Sequence, residues 1–285
     1  MDNERTIGPS VLRSLLPRPD DSHKGTFGTL TMLCGSAMMP GAARLAASAA
    51  LRSGAGLVRL AVPASVRPAL QACLAEPVWL EPEACADGKS TAFLAGCGLG
   101  RSSDALLRSL IPRIACPAVY DADAIRFLAS DLPLLRSIGA PFVLTPHPAE
   151  FSALTGRSVA EIQSSRVPSA SAFAKEYRCV LVLKGHGTVV ALPDGETFVN
   201  TTGSASLAKG GSGDVLAGLI ASLLAQGHSC GDAAKIGVYA HGLAGDRLEK
   251  TFGPRGVLPS DLPAEIGRIL RTPGGNNNER EDVAP

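Results

Sequence analysis

Aromatic side chains make up only 4% of this 285-residue chain, one tryptophan among them, and the formal net charge is +1. With no basic stripe, and no basic residues interleaved with aromatics, the sequence lacks the phosphate-tracking surface and the stacking platforms of a nucleic-acid binder. Attraction to an anionic membrane is excluded on the same ground. The opening residues Met1-Asp-Asn-Glu-Arg5 contain no basic stretch leading into an apolar run, and the longest apolar helix, near Val215 to Ala225, is too short to cross a bilayer. A soluble, unexported, cytoplasmic protein is expected. Seven cysteines, at positions 34, 73, 85, 97, 116, 179 and 230, are scattered, odd in number and without a CxxC pair, so neither a disulfide framework nor zinc is indicated. Two nucleotide motifs are missing as well. No Gly-Lys-Ser/Thr closes a Walker A loop, and Gly96-Cys-Gly-Leu-Gly100 has the wrong spacing for a dinucleotide fingerprint.

What is present is a strong alternation of apolar elements. Strands are expected at Thr29–Cys34, Leu57–Val62, Thr91–Ala95, Ala118–Tyr120, Phe142–Leu144 and Val180–Leu183. Helices at Gly41–Arg52, Val66–Leu74, Asp104–Ile111, Ala149–Leu154 and Ser169–Tyr177 fall between them. Pro193-Asp-Gly195 reads as the turn of a hairpin joining Thr188–Leu192 to Glu196–Val199, and two helices, Gly213–Ala225 and Gly231–Leu248, finish the pattern. The order is that of one α/β domain: a mostly parallel sheet with helices on both faces, spanning 22–272 after an N-terminal extension 1–21. The polar tail 273–285 is expected to be disordered. Such a sheet gathers the loops that follow its strands at one edge, where ligands bind.

One of those loops, Asn200 to Gly218, is the most chemically suggestive. Gly210, Gly211 and Gly213 let the backbone turn tightly, and the first amides of the following helix are free to meet an anion. Asp214 stands among them. A carboxylate repels phosphate, so its useful role would be to take a proton from an attacking hydroxyl; alternatively it simply complements the helix dipole. Lys184-Gly-His-Gly-Thr188 ends a buried strand and reads either as an ordinary turn or as a nucleotide clamp. His147, between Pro146 and Pro148, must be extended, while Pro148 can open a helix. Asp121 and Asp123 end another strand and suit either water-mediated Mg²⁺ or helix capping.

Taken together, His23-Lys-Gly-Thr-Phe-Gly28, Met39-Pro-Gly-Ala-Ala43, Leu51-Arg-Ser-Gly-Ala-Gly56, Thr145-Pro-His-Pro-Ala-Glu-Phe151, Lys184-Gly-His-Gly-Thr188 and Ala208-Lys-Gly-Gly-Ser-Gly-Asp214 resemble the ADP/ATP-dependent NAD(P)H-hydrate dehydratases of the ribokinase-like superfamily. The likeness runs from about Ser22 to about Leu270, with the motifs in the family's order. It implies a ribokinase-like three-layer fold and the repair of NADH or NADPH that has gained water across the C5=C6 bond. The C6 hydroxyl would be phosphorylated from ADP or ATP with Mg²⁺, and loss of phosphate and of the C5 proton would restore the ring.

By motif position, the resemblance makes Asp214 the base and a substrate contact. Gly211, Ser212 and Gly213 become the anion hole, with Gly213 also touching the nucleotide. Lys184, Gly185, His186, Gly187 and Thr188 become the nucleotide clamp, and Ala42, Gly98 and His147 contact the hydrate. No protein ligand to the metal is assigned. The family also implies ADP as the donor for a bacterial member, a homotetramer, and a separate epimerase as pathway partner. Where the family often has Asn-Pro and a second Asn, this chain has Asn200-Thr201 and Ser204, which bears on loop stiffness. A small-alcohol kinase of the same fold and a non-catalytic nucleotide-binding module remain as alternatives.

Overall fold

A computed structural model describes residues 5–271; the expected tail 273–285 lies outside them. Ten strands form one sheet: β1 (Arg5–Ile7), β2 (Thr29–Leu33), β3 (Leu57–Ala61), β4 (Val78–Leu80), β5 (Ala92–Ala95), β6 (Ala118–Tyr120), β7 (Phe142–Leu144), β8 (Val180–Leu183), β9 (Val189–Ala191) and β10 (Thr197–Asn200). Their spatial order is β1-β10-β9-β8-β7-β6-β5-β2-β3-β4, and only β9 runs antiparallel to its neighbours. The order reverses at β2 and β5: the chain first winds outward through β3 and β4, then returns beside β2 and winds the other way. A crevice opens beyond the carboxyl ends at such a reversal.

The helices are α1 (Pro40–Arg52), α2 (Arg67–Gln71), α3 (Asp104–Leu110), α4 (Ala122–Ala129), α5 (Leu132–Ser137), α6 (Pro148–Thr155), α7 (Val159–Ser164), α8 (Arg166–Tyr177), α9 (Ser212–Ala225), α10 (Cys230–Gly256, broken at Gly253) and α11 (Leu262–Ile269). Strand alternation divides the core into two layers. Leu30, Leu60, Leu94 and Val182 face the layer of α1, α9, α10 and α11, whereas Phe93, Tyr120, Leu144 and Leu183 face that of α3 to α8. The sheet is therefore buried on both sides, which explains why its strands read as continuous apolar runs. The expected three-layer α/β arrangement is present. Helices α1 and α9 pack almost backbone to backbone, since a Cβ on Gly218 would lie 2.1 Å from the Ala46 carbonyl oxygen. That contact fixes the start of α9 against the β2 side of the crevice.

Some elements go beyond the sequence expectation. The N-terminal segment contributes an edge strand, β1, parallel to β10, and the C-terminal region adds α11 after the two expected closing helices. Short strands and helices such as β4, α5 and α7 carry too few residues to display a period. The hairpin at Pro193-Asp-Gly195 joins β9 to β10 as expected, with Leu192 N donating to Glu196 O at 2.9 Å.

Candidate active site

Cys97, Asp121 and Lys184, which follow β5, β6 and β8, gather around Asp214. Gly211, in the left-handed region at φ 100°, turns the chain into α9 and puts Asp214 in its first turn. The Ser212 amide donates back to Lys209 O at 3.2 Å, so it is already engaged. Of the anion hole expected at Gly211, Ser212 and Gly213, the Ser212 amide thus has a partner within the turn. The tight turn consumes the middle amide, and the donors left at the helix start are those of Gly211, Gly213 and Asp214. The Ser212 side chain turns inward, with its Oγ 3.1 Å from His241 Nε2. Burial drives the His241 pKa down to about 4, so the ring is neutral near pH 7 and adds no positive charge.

Beside Asp214 lies a buried ion pair. Lys184 Nζ donates to Asp121 Oδ1 at 2.8 Å, Thr145 Oγ1 donates to the same oxygen at 2.6 Å, and Glu150 Oε2 lies 4.0 Å from Nζ. Burial opposes the lysine's charge, but Asp121 and Glu150 outweigh it and hold the Lys184 pKa above its usual value. Asp121 occupies the N-cap position of α4 without capping it, because its carboxylate points to Lys184 instead. Asp123 accepts from the Gly100 amide at 2.8 Å and thereby ties the β5 loop to the β6 loop.

The environment suits Asp214 to proton abstraction. Burial, reinforced by the negative charge of Asp121, raises its pKa to about 6, while the Cys97 thiol and Lys184 act in the other direction. A carboxylate so placed is ionised at neutral pH yet more basic than an exposed one.

On one side of Asp214 a cavity of about 380 Å³ is lined by the β8–β9 turn, the loop after β10, the start of α9 and the middle of α10. Lys184, Gly185, His186, Gly187 and Thr188 all reach it, as do Ser212 and Gly213. Arg166, which the sequence reading passed over, braces this turn from behind by donating to Leu183 O at 2.9 Å and Lys184 O at 3.3 Å. The loop after β10 is tied to its neighbours by side-chain hydrogen bonds. Asn200 Nδ2 donates to Val238 O at 3.1 Å, and Thr201 Oγ1 donates to Ile7 O at 2.8 Å, so β1 serves as its anchor. Ser204 Oγ donates to Glu249.

Ala42 and Gly98 meet on the β2–β5 side, and His147 stands in the loop after β7. Gly98, at φ +64°, sits so close to α1 that a Cβ on it would fall 2.6 Å from the Ala42 Cβ. His147 is the N-cap of α6: its Nδ1 accepts from the amides of Ala149 (3.1 Å) and Glu150 (3.2 Å). Its Nε2 lies 3.1 Å from Glu150 Oε1, and Glu150 Oε2 accepts from the His147 amide at 2.9 Å. Because Nδ1 accepts, the ring proton of the neutral form resides on Nε2. The Lys184 amide donates to Pro146 O at 2.9 Å, which brings the His147 loop against the nucleotide-side turn. Cys97, Thr145, Glu150 and His241 were not singled out as site residues in the sequence, although the first three lie inside motifs that were.

A model of the NAD(P)H-hydrate dehydratase family matches residues 30–268. The chain belongs to this family. It is 41% identical to the ADP-dependent (S)-NAD(P)H-hydrate dehydratase of Neisseria meningitidis, over 89% of this chain and 88% of that protein. The bifunctional NAD(P)H-hydrate repair enzyme Nnr of Moorella thermoacetica is also 41% identical; 94% of this chain is covered, but the chain spans only 54% of that longer protein. Among solved structures, the Bacillus subtilis ADP/ATP-dependent NAD(P)H-hydrate dehydratase co-crystallised with ATP/Mg²⁺ superposes with a TM-score of 0.85 at 33% identity, covering 94% of this chain and 98% of that one. A ribokinase-like superfamily protein of Enterococcus faecalis gives the same TM-score at 26% identity, in keeping with the expected ribokinase-like fold. Among the described residues no helix is long and apolar enough to cross a membrane.

Proposed function

We propose that this chain dehydrates the C6-hydroxylated (S) hydrates of NADH and NADPH, with ADP or ATP as phosphoryl donor. The observation that carries this reading is the placement of Asp214, a half-buried carboxylate of raised proton affinity beside the free amides of a helix start whose Ser212 and Gly213 line a cavity of about 380 Å³. Asp214 takes the proton of the C6 hydroxyl as its oxygen attacks the terminal phosphoryl group. The amides of Gly211, Gly213 and Asp214 meet the charge spreading over the transferred oxygens, a stabilisation that needs no rearrangement during reaction. Lys184, held by Asp121, adds a fixed positive charge at the same end of the cleft. Phosphate is a far better leaving group than hydroxide. The ring nitrogen's electron pair expels it, and loss of the C5 proton restores the C5=C6 bond.

The β8–β9 turn holds the nucleotide through backbone approach at Gly185 and Gly187, and Ala42, Gly98 and His147 receive the hydrate. Magnesium fits this cleft because its carboxylates are hard oxygen donors in excess of the single lysine. Asp121 and Asp123 would help to hold the ion through water, the nucleotide phosphates would hold it chiefly, and it would supply charge neutralisation. ADP as the usual donor, a separate epimerase as pathway partner, a cytoplasmic location and tetrameric assembly belong to the same proposal. Incubation of NADH hydrate with the protein, ADP and Mg²⁺ tests it. Free phosphate should appear together with the near-ultraviolet absorbance of reduced nicotinamide. A stable phosphoester with no recovery of absorbance would show a small-alcohol kinase instead.

A further inference from the structure

The group formed by Cys97, Asp121 and Asp214 offers a chemistry that dehydration does not use. The Cys97 sulfur and one oxygen from each carboxylate lie within 4.8 Å of one another. Around a tetrahedral zinc-type ion, with sulfur at about 2.3 Å and carboxylate oxygen at about 2.0–2.2 Å, the ligand atoms are themselves about 3.4–3.6 Å apart. Small side-chain rotations close that difference. The two oxygens of Asp121 are unequally used: Oδ1 accepts from both Lys184 and Thr145, whereas Oδ2 meets only the weak Cys97 thiol, at 3.8 Å. In a side chain only 2% exposed, that leaves one carboxylate oxygen short of a donor and directed into the group. The Asp214 carboxylate likewise receives no N–H or O–H donor among the described residues. The surrounding charges are Glu150 and Asp123, the latter paired with Arg126 at 3.3 Å, with Lys184 the cation nearest the group; the carboxylates outnumber these cations, so the group is net negative. Cys97 is fully buried, but Asp214 is partly exposed and leaves the group open to the cleft.

We propose that Cys97, Asp121 and Asp214 form a binding site for a thiophilic divalent cation, Zn²⁺ or Cd²⁺, which inhibits the enzyme by occupying the carboxylate that otherwise accepts the hydroxyl proton. Sulfur ligation separates such an ion from Mg²⁺, which takes oxygen donors and gains nothing from the thiol. On binding, the thiol proton passes to solvent and the thiolate forms the metal–sulfur bond, with no change of oxidation state. Solvent fills the remaining position, and Lys184 keeps Oδ1.

The binding claim stands apart from the catalytic reading, so the test has two arms. In the first, Cd²⁺ alone is titrated into nucleotide-free protein kept reduced with a phosphine, following the ultraviolet cadmium–thiolate band and the thermal midpoint. Wild type should show one equivalent of tight binding, a new band and a raised midpoint. Cys97→Ser should lose that band and bind at least about tenfold more weakly. Asp214→Asn, an independent variant, should retain a band but shift it to higher Cd²⁺ concentration. In the second arm, Zn²⁺ inhibition of each protein is expressed relative to its own metal-free rate, and Cys97→Ser should require at least about tenfold more Zn²⁺. Equal Cd²⁺ affinity in wild type and folded Cys97→Ser, or Mg²⁺ displacing Cd²⁺ at equal concentration, would overturn the site. Cd²⁺ binding through Cys97 in a protein that turns over no hydrate would keep the site and sink the catalytic reading.

Discussion

On the β9 side of Asp214 the cleft wall is mostly backbone and small side chains, Gly185, Gly187, Gly203 and Gly213 around a cavity of about 380 Å³. On the β2–β5 side it is a close contact, with Gly98 against Ala42, and His147, in the loop after β7, is spent on capping α6. The first wall is shaped to admit a ligand; the second is shaped by packing and presents a ligand with whatever surface packing leaves. Mutations on the first should therefore act through lost interactions with nucleotide, and mutations on the second through sterics and local stability. Asp214 lies at the junction of the walls, and Lys184, which lines the cavity, ties Asp121 to the first of them.

The largest effect is expected at that junction. Asp214→Asn preserves size while removing the proton acceptor, so turnover should fall by about 10²–10⁴-fold while calorimetry still detects nucleotide and hydrate. A variant retaining more than about a tenth of wild-type kcat would remove Asp214 from the chemistry. Next comes Lys184→Met, which leaves the buried Asp121 carboxylate with Thr145 as its strong donor. Breaking a buried pair from one side costs about 3–5 kcal/mol, visible in chemical denaturation, and nucleotide affinity should drop with it. If stability stays within experimental error while affinity falls, the lysine is a clamp and not a structural ion pair.

A smaller effect is expected at Gly98→Ala. The left-handed backbone costs a residue with a Cβ about 1–2 kcal/mol, and the clash with Ala42 narrows the hydrate wall. KM for hydrate should rise more than KM for ADP, and equal changes would erase the distinction between the walls. The smallest effect is at His147. His147→Ala removes the cap of α6, about 0.5–2 kcal/mol of stability, and weakens hydrate binding more than nucleotide binding. His147→Asn can still cap, so it should recover the stability but not the hydrate affinity. Recovery of both would make the ring a cap alone.

Much of this was legible in the sequence, for identifiable reasons. The glycines before Asp214 forced a turn into a helix, and Pro146 and Pro148 forced His147 out of one, so both side chains stand where local backbone rules put them. The Lys184–Asp121 pair was not legible, because its partners are 63 residues apart and meet only through the β6-β7-β8 order of the sheet. Cys97 read as one scattered thiol until β5 placed it beside two carboxylates. The engagement of the Ser212 amide by Lys209 O depends on the detailed path of one turn, which glycine content alone leaves open. Edge strand β1 spans three residues, too few for any period to show, yet it anchors Thr201.

The most direct test of Asp214 as proton acceptor is the pH dependence of kcat/KM for NADH hydrate at saturating ADP and Mg²⁺. The base works only when ionised, and its pKa is raised to about 6, so activity should be level above that pH and lost as pH falls through it. Log kcat/KM should decline with unit slope below about 6, and the residual activity of Asp214→Asn should lack that limb. A limb at the ordinary carboxylate value of about 4, or one that persists unchanged in Asp214→Asn, would contradict the assignment.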